Sequence, residues 1–471
     1  MRASRLALLT VLPLTAAVGL AAPIAVHATP NTALSPDLVR LHPIATHVGT
    51  AAALPLTTAQ CERQFEIACY GPAQVQRAYD LAPLFAHHNQ GQGQTIAIVD
   101  SFGSPTVTHD LAVFDHTYGL PDPKLTVIQP AGPIPRYDGG NTDMVGWAGE
   151  TTLDVEWAHA MAPRANILLV ETPTSEQEGT TGFPEIVTAE KYVVDHHLAA
   201  VISQSFSATE ETFPSADALY QLRGAYEDAV DNDVTVLAAS GDSGATDATA
   251  GAGLYTHPVT SWPDSDPLVT AVGGTKLSLD ANGNRTAPDG VWNDTYDVPT
   301  QQYIPGANGP SARATGGGRS IMFDRPAYQL PVAAVVGDRR GVPDISMSGA
   351  CNGAVNVYQS FPGQPAGWYP TCGTSEATPL FAGIVALAAQ RAGHPLGLIN
   401  PALYFMAESH APGIVDVTRG NNTVSFSQDE HRYTVHGATA APGYDLASGL
   451  GTVDGALFVP QLVSYVDHGS W

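Results

Sequence analysis

Two carboxylates four residues apart raise the first question about the chemistry of this chain. Glu150 and Asp154 lie in GETTLDVEWAHAMAP, residues 149–163, whose pattern predicts a helix. Like charges at this spacing share one side of a helix and repel each other. If the two groups share one proton, a hydrogen bond replaces the repulsion and the pair titrates as a unit. Such a pair is a candidate base at acid pH; the plain alternative is two acids that favour the helix dipole.

A serine at a predicted helix start is the candidate nucleophile. Ser375 lies in TCGTSEATP, residues 371–379, just before an apolar helix predicted over residues 379–392. Backbone N–H groups at a helix N-terminus can hold the negative charge of a tetrahedral intermediate. A serine nucleophile also needs a base, which is usually histidine. An ordinary capping serine is the alternative interpretation.

The histidines of the chain do not stand where such a base is expected. There are 16 of them, but no His-Gly-Thr or similar sequence follows the first predicted strands. We expect His159, at the far end of the predicted carboxylate helix, and His87, His88, His196, His197 and His436 to be structural. Glu150 is then the candidate base, because at acid pH an imidazole would already be protonated.

A third motif places an aspartate after an apolar strand. Asp242 lies in ASGDSG, residues 239–244. A carboxylate beside a developing oxyanion would oppose the reaction. A protonated carboxylic acid can instead donate a hydrogen bond to that oxygen. A simple turn or a metal-binding loop are the other interpretations of this motif.

The three motifs together resemble the signatures of the sedolisin family, the serine-carboxyl peptidases. They occur in the order GETTLDVEWAHAMAP, SGDSGA and CGTSEATPLFAG, and further similar segments are residues 261–275, 316–328 and 340–346. The resemblance covers about residue 70 to the C-terminus. It implies a subtilisin-like fold and a peptidase active in acid. It also implies Ser375 as nucleophile, Glu150 as general base, Asp154 as the acid that orients Glu150, and Asp242 as the oxyanion donor.

The C-terminal part resembles the calcium site of the same family. The similar segments are residues 413–422 and 441–445. The resemblance implies Ca²⁺ bound by the side chains of Asp416 and Asp445 and by the backbone carbonyls of Val417, Ala441 and Gly443. Oxygen ligands of this kind suit Ca²⁺. Ala441 stands where the family often has glycine, a change that keeps the carbonyl. Two turns without a metal are the alternative.

The helices and strands that must position these residues are predicted to form an α/β domain. Apolar runs alternate with helical patterns: the runs are residues 95–100, 165–170, 200–204 and 234–239, and the helical patterns include 186–197 and 216–229. This alternation predicts a parallel sheet with helices on both faces. Ligands of such sheets bind at the carboxyl ends of the strands. Asp100, at the end of the first run, is either a second group behind the carboxylate pair or a simple strand-end acid.

Composition limits the classes of partner. The chain has 471 residues, of which 44% are hydrophobic and 14% charged, and its formal net charge is −25. These values are typical of a globular protein with a large core. The acidic balance should repel nucleic acid and anionic membranes. This negative charge either keeps the protein soluble or suits a protein that works in acid, where carboxylates gain protons and repel one another less. We expect polypeptide substrates, no nucleic acid partner and a monomer.

The N-terminus predicts export. A basic start and an apolar run over residues 6–26 precede Val-His-Ala, so we predict a signal peptide over residues 1–28 and a secreted protein without stable membrane association. An uncleaved anchor is the alternative. Residues 29–68 resemble a short leader or pro-segment, whereas the family usually carries a large prodomain. The peptidase domain is predicted over residues 69–471.

Four cysteines in an exported chain predict disulfides. They allow three connectivities, and proximity favours Cys61–Cys69 and Cys351–Cys372. A zinc site is less favoured because no CxxC or HExxH spacing is present.

Two rival functions stay open. One is a Ser-His-Asp hydrolase on the same fold, whose activity should rise through about pH 6–7. The other is a secreted calcium-binding protein without catalysis.

Overall fold

A parallel sheet organises the part of the chain that the structure describes. The structure is a computed structural model, and it describes residues 46–251, 253–297 and 312–469. These residues all fall in one unit of the chain. The predicted signal peptide and residues 29–45 of the predicted leader lie outside the described residues.

The described residues form helices and strands with the following bounds. The strands are β1 (Thr46–His47), β2 (Cys69–Tyr70), β3 (Thr95–Ser101), β4 (Leu125–Ile128), β5 (Asn166–Thr172), β6 (Val201–Gln204), β7 (Ala208–Thr209), β8 (Thr235–Ala239), β9 (Ser261–Trp262), β10 (Thr270–Lys276), β11 (Gly290–Val291), β12 (Gly318–Asp324), β13 (Arg339–Val342), β14 (Ile345–Ser348), β15 (Ala354–Gln359), β16 (Gly367–Cys372), β17 (Ile414–Val415), β18 (Val424–Gln428), β19 (His431–Val435) and β20 (Thr452–Val453). The α-helices are α1 (Thr58–Phe65), α2 (Pro72–Ala78), α3 (Ala82–Ala86), α4 (Val107–Tyr118), α5 (Thr142–Met161), α6 (Phe183–Asp195), α7 (Ala216–Tyr220), α8 (Gly224–Asp231), α9 (Asp294–Asp297), α10 (Ala333–Val336), α11 (Thr374–Ala392), α12 (Asn400–Glu408) and α13 (Gly455–His468), and short 3₁₀ helices cover Glu210–Thr212 and Ala327–Val332.

The main sheet has the predicted parallel arrangement. Its order is β11-β10-β8-β6-β3-β5-β4, with β14 also paired to β10. Every pairing in this sheet is parallel except that of β11 with β10. All four predicted apolar runs are strands of this sheet, namely β3, β5, β6 and β8. The prediction of an α/β domain built on a parallel sheet is therefore confirmed.

The side chains of β3 show why its sequence is apolar throughout. Ile96 and Ile98 pack into a core with residues of α5 and α11, whereas Ala97 and Val99 pack into a second core with residues of α6 and α8. Successive strand residues point to opposite faces, so a strand covered on both sides needs apolar residues at every position. The two cores thus place α5 and α11 together on one face of the sheet.

One predicted helix is interrupted. The pattern over residues 216–229 gives two helices, α7 and α8, with a turn between them. Gly224 stands at the break, and glycine costs about 1 kcal/mol in a helix interior. The turn is also fixed from outside, because Arg223 donates through Nε and a terminal nitrogen to Asp266 at 2.6 and 2.8 Å.

The described half of the predicted leader packs as part of the domain. β1 pairs antiparallel with β16, so that Thr46 lies opposite Cys372 and His47 opposite Thr371. Helix α1 follows, and the Cys61–Cys69 disulfide joins it to β2. A leader that ends at residue 68 would therefore be held to the domain by a strand pairing and a disulfide.

Both predicted disulfides are present. Cys61 is bonded to Cys69, and Cys351 to Cys372. The second bond closes a loop of 21 residues at the end of β16, three residues before Ser375. In the part of the chain that the structure covers, no helix is both long and apolar enough to cross a membrane.

A set of carboxyl groups is fully buried, which links folding to pH. Burial is the main cause that raises the pKa of each above its usual range, and the set comprises Asp100, Asp154, Glu156, Glu176, Glu190, Asp264 and Glu376. A neutral carboxyl avoids most of the cost of burying a charge. The folded protein therefore retains protons that the unfolded chain releases.

This set predicts a protein that is most stable in acid. A raised pKa contributes stability that is complete below the unfolded value of about 4, and this contribution is lost as pH rises through the folded value. For Asp100 the folded pKa is about 7. The melting temperature should fall steadily from about pH 4 to pH 8, and Glu190→Gln should flatten part of the decline by removing one buried acid. Calorimetry across this range checks it; a melting temperature that rises with pH would contradict the prediction.

Candidate active site

Helix α5 carries the carboxylate pair into the core. The Asn141 side chain caps its start by accepting hydrogen bonds from the backbone N–H groups of Asp143 and Met144 at 2.9 and 3.2 Å. From Gly149 to Met161 every residue of the helix is buried. Glu150 and Asp154 are 1% and 0% exposed. The two acids therefore lie in the interior, where α5 packs against α11.

Ser205 links Asp154 to the nucleophile segment. Its Oγ donates a hydrogen bond to Asp154 Oδ1 at 2.9 Å and lies 3.5 Å from the carbonyl oxygen of Ser375. Ser205 follows directly after β6, at the carboxyl end of a central strand. The structure thus brings the carboxylate helix and the predicted nucleophile together through one buried hydroxyl.

Three carboxyl groups crowd together at this point. Burial, then the charges of Asp100 and Glu150, raise the pKa of Asp154 well above its usual range, and the hydrogen bond from Ser205 opposes this shift. Burial likewise raises the pKa of Asp100 to about 7. Full ionisation of all three would put like charges side by side in a medium of low dielectric constant. At acid pH the group therefore holds protons, which suits a pair that shares one.

Ser375 is the second residue of α11. Its Oγ is buried and has no hydrogen-bond partner among the residues that the structure describes. Gly373, just before the helix, has φ +138°, a conformation that side chains with a Cβ rarely adopt. The hydroxyl therefore lies at a helix N-terminus, beside backbone N–H groups and the positive end of the helix dipole.

Asp242 is held against the same turn. Its Oδ1 accepts hydrogen bonds from the backbone N–H of Thr374 at 2.7 Å and from the Thr374 hydroxyl at 2.8 Å. A Cβ on Gly373 would lie 2.6 Å from Asp242 Oδ2, so glycine is what allows this approach. If protonated on Oδ2, Asp242 could donate a hydrogen bond beside the N-terminus of α11.

A glycine segment supports the Asp242 loop from behind. The backbone N–H of Gly316 donates to the carbonyl of Gly241 at 2.7 Å, and that of Ala314 donates to the carbonyl of Asp242 at 3.0 Å. A Cβ on Gly316 would lie 1.6 Å from the carbonyl oxygen of Ser240. Residue 316 must therefore be glycine for the two backbones to lie this close.

Histidine does not bond the nucleophile in the described part of the chain. His47 lies beside the carboxylate helix: a Cβ on Gly149 would lie 3.6 Å from its ring carbon Cε1. Burial lowers the pKa of His47 to about 4, and its ring stacks on Tyr369. His159 lies 3.1 Å from Asp115 in the interior, as expected of a structural residue.

One Ser-His-Asp grouping exists elsewhere, but it is not arranged as a catalytic triad. The Oγ of Ser360 and Oδ1 of Asp110 lie 3.4 and 3.0 Å from the same ring nitrogen, Nδ1 of His109. A triad needs the serine and the aspartate on opposite nitrogens of the ring. Ser360 Oγ moreover donates directly to Asp110 at 2.5 Å.

The residues of the predicted calcium site meet at one turn. Asp416 Oδ2 accepts from the backbone N–H of Gly443 at 2.9 Å, and Asp445 Oδ2 accepts from that of Ala441 at 3.1 Å. Val417 is buried, and its carbonyl lies 3.5 Å from the hydroxyl of Ser448. Within the described ranges no cluster of three or more His, Cys, Asp or Glu could hold a metal. The two carboxylates and the carbonyls are all oxygen donors, so the set fits Ca²⁺ chemically.

Sequence reasoning assigned no individual role to three supporting residues, although Thr374 and Gly316 lie in segments that resemble the family. Ser205 connects Asp154 to Ser375, Thr374 anchors Asp242, and Gly316 makes room for the Asp242 loop. Ser205 could have been found, because it directly follows a predicted strand whose carboxyl end should face the site. The functions of Thr374 and Gly316 depend on loops that meet only in the folded chain.

Comparison with known proteins agrees with this geometry. The model of the subtilase family matches residues 91–402. Kumamolisin from Bacillus sp. strain MN-32 is 32% identical over 401 residues, which are 84% of this chain and 64% of kumamolisin. Sedolisin from Pseudomonas sp. strain 101 is 29% identical over 79% of this chain and 57% of its own length. The chain thus spans less than two thirds of these relatives.

A solved structure has the same fold. It is Pseudomonas sedolisin, described as a serine-carboxyl proteinase, in complex with two molecules of pseudo-iodotyrostatin. The TM-score is 0.67 at 23% identity, and the match covers 90% of this chain and all of that one. At this identity the likeness concerns the fold.

The close approach of Gly373 to Asp242 can be tested by one methyl group. Gly373→Ala would combine a strained φ with a 2.6 Å contact, whereas Gly393→Ala at the other end of α11 would meet a φ of +81° and nothing within 4 Å. We expect the glycine-to-alanine change at 373 to cost about 1–3 kcal/mol more than that at 393, the usual cost of overpacking. Chemical denaturation measures both; equal losses would show that Asp242 does not need this glycine.

Proposed function

The chain belongs to the subtilase family, in its sedolisin branch, and on that premise we propose that it is a secreted serine-carboxyl endopeptidase active in acid. Its substrates would be polypeptides, and its nucleophile would be Ser375. The observation that carries the proposal is the link through Ser205 between the buried carboxyl pair and the nucleophile turn. In this proposal, acidic side chains take the part that an imidazole has in a conventional serine hydrolase.

In the proposed first step, Ser375 Oγ attacks the carbonyl carbon of the scissile peptide bond. Glu150 accepts the proton of the hydroxyl, and Asp154 orients Glu150 and stabilises it by the hydrogen that they share. The carbonyl oxygen becomes an oxyanion, which receives hydrogen bonds from protonated Asp242 and from the backbone N–H of Ser375. Glu150 then returns the proton to the leaving amine, the C–N bond breaks, and an acyl-enzyme remains.

The second half repeats this chemistry with water. Glu150 takes a proton from the attacking water molecule, and the acyl-enzyme becomes a second oxyanion. As it collapses, the ester bond to Ser375 breaks, Glu150 returns the proton to Ser375 Oγ, and the carboxylic acid product leaves. Both halves need protons at two places: within the Glu150–Asp154 pair and on Asp242. Activity should therefore be highest in acid and decline as these groups ionise.

Export suits this chemistry. The N-terminal pattern of residues 1–28 and the two disulfides both favour a compartment outside the cytosol. We propose that the signal peptide is removed and that residues 29–68 act as a short leader. The domain would then act as a monomer in an acidic environment, in which its buried carboxyl groups also stabilise it.

We also propose a structural Ca²⁺ ion held by Asp416, Val417, Ala441, Gly443 and Asp445. These residues converge on the turn that follows residue 440, and their donors are the oxygens that Ca²⁺ prefers. When bound, the ion would neutralise the two carboxylates and fix this turn. It has no part in the proposed chemical steps.

The catalytic proposal is tested by the pH dependence of hydrolysis and by two variants. Wild-type protein should cleave denatured casein near pH 4 and lose activity toward neutral pH. Ser375→Ala should abolish turnover, and Glu150→Gln should lower kcat by about 10²–10⁴-fold, the usual contribution of a general base. His47→Gln is the control for an imidazole base and should keep most of the activity. A kcat that rises through pH 6–7, or full activity of Ser375→Ala, would refute the proposal.

Calcium binding predicts a response to chelation. Ethylene glycol tetraacetic acid should lower the melting temperature, and added CaCl₂ should restore it, because a ligand that binds only the folded state stabilises it by mass action. In Asp416→Asn/Asp445→Asn the chelator should change the melting temperature little. A wild-type melting temperature that is indifferent to both additions would exclude a structural calcium ion.

A further inference from the structure

A second buried acid lies next to the nucleophile and has no part in the proposed reaction. Glu376 follows Ser375 in the first turn of α11 and is 0% exposed. Neither of its carboxyl oxygens has a hydrogen-bond partner of ordinary geometry among the residues that the structure describes. A polar group in such a position costs free energy unless it interacts with its surroundings. The residues around the Glu376 carboxyl group therefore determine its role.

Those neighbours are polar groups at the end of β14. Ser348 is the last residue of this strand, and its backbone N–H donates to the hydroxyl oxygen of Tyr79 at 2.7 Å. The hydroxyls of Ser348 and Thr452 are buried and make no hydrogen bond of ordinary geometry within the described residues. The side chain of Ser348 lowers the pKa of Glu376, and that of Thr452 lowers the pKa of Tyr79. Glu376 thus lies next to the Ser348 hydroxyl, and Ser348 and Thr452 both interact with Tyr79.

The backbone joins the same two segments at a second point. The N–H of Gly373 donates to the carbonyl of Gly349 at 2.9 Å. A Cβ on Gly349 would lie 2.8 Å from the carbonyl oxygen of Gly373, so the segments are in direct contact. The residues at 348–349 therefore support the turn at 373–376 from below. Any shift at this contact would move Ser375.

The charge on Glu376 matters because of what surrounds it. Burial raises the pKa of Glu376 well above its usual range, Ser348 lowers it, and the charge of Asp242 raises it further. The titratable groups that face it are Asp242, Tyr79 on the turn after α2, and Tyr70 on β2. Within the described residues no cation acts directly on Glu376, so a charged Glu376 would lie near the proposed oxyanion donor Asp242 without a direct counter-ion.

We propose that Glu376 is a positioning residue for Ser375, because the Glu376 carboxyl ties the first turn of α11 to the end of β14. The carboxyl would donate to or accept from the Ser348 hydroxyl, and it would keep the nucleophile turn in place. This inference rests on the proposed peptidase function and adds a residue to it. In this proposal Glu376 acts through Ser375 and takes no part in the chemical steps itself.

Two variants test the shape and the charge of the Glu376 side chain separately. Glu376→Gln keeps the shape and the ability to bond the Ser348 hydroxyl, but it cannot ionise. Glu376→Ala removes the link to Ser348. We expect Glu376→Ala to lower kcat by about 10²-fold with KM changed less than about twofold, because a misplaced nucleophile slows the chemical step. Glu376→Gln should restore kcat to within about threefold of wild type at pH 4. Its activity should also fall less steeply as pH rises.

Glu190 offers the matched control. It is also a fully buried glutamate without a hydrogen-bond partner in the described ranges, but it lies on α6 in the core on the opposite face of the sheet. Glu190→Ala and Glu190→Gln should change stability and leave kcat within about twofold. Melting temperatures of all four variants, together with circular dichroism, identify the folded ones before kinetics are measured.

The outcomes are distinct. A folded Glu376→Ala with wild-type kcat would overturn the inference, and so would a Glu376→Gln as impaired as Glu376→Ala at pH 4. A pH profile of Glu376→Gln that superimposes on that of wild type would overturn the requirement for a neutral group, and it can be measured even if Glu376→Ala does not fold. If wild-type protein shows no hydrolysis that depends on Ser375, the peptidase proposal itself has failed.

Discussion

The contact between α5 and α11 is the constraint on which the rest of the site depends. Each helix brings one half of the proposed chemistry: α5 carries Glu150 and Asp154, and Ser375 is the second residue of α11. Both lie on the same face of the sheet because β3 offers an apolar surface to them. The hydroxyl of Ser205, at the carboxyl end of β6, joins the two halves. Without the parallel sheet beneath them, the two helices would have no reason to meet at this point.

Close backbone approaches fix the other side of the site. Gly373 and Gly316 allow Asp242 and its loop to lie where a Cβ would collide. The Cys351–Cys372 disulfide and the pairing of β1 with β16 hold the strand that leads into Ser375. The nucleophile turn is therefore fixed by a covalent bond, a strand ladder and a carboxylate, which limits its freedom before any substrate binds. Such preorganisation lowers the cost of reaching a reactive geometry.

The sequence predicted the elements better than their contacts. The four apolar runs became strands of the main sheet, because a strand that is buried on both faces needs a continuous apolar sequence. The sequence also predicted the carboxylate helix, the helix after Ser375 and both disulfides. The helix predicted over residues 216–229 was wrong in its continuity, since Gly224 and the outside contact of Arg223 with Asp266 break it. Ser205, Thr374 and Glu376 matter through neighbours far away in sequence, and spacing along the chain does not reveal such neighbours.

The stability of this fold and its proposed reaction both depend on buried carboxyl groups that hold protons. A conventional serine hydrolase keeps its carboxylate charged and its imidazole neutral, which suits neutral pH. Here the groups near the nucleophile are carboxyls whose burial favours the protonated form, as for Asp154 and Glu376. The same protons that avoid charge repulsion in the core are those that the proposed base pair and oxyanion donor need. A rise in pH would therefore act on the predicted stability and on the proposed reaction together, because both depend on the same buried carboxyl groups being protonated.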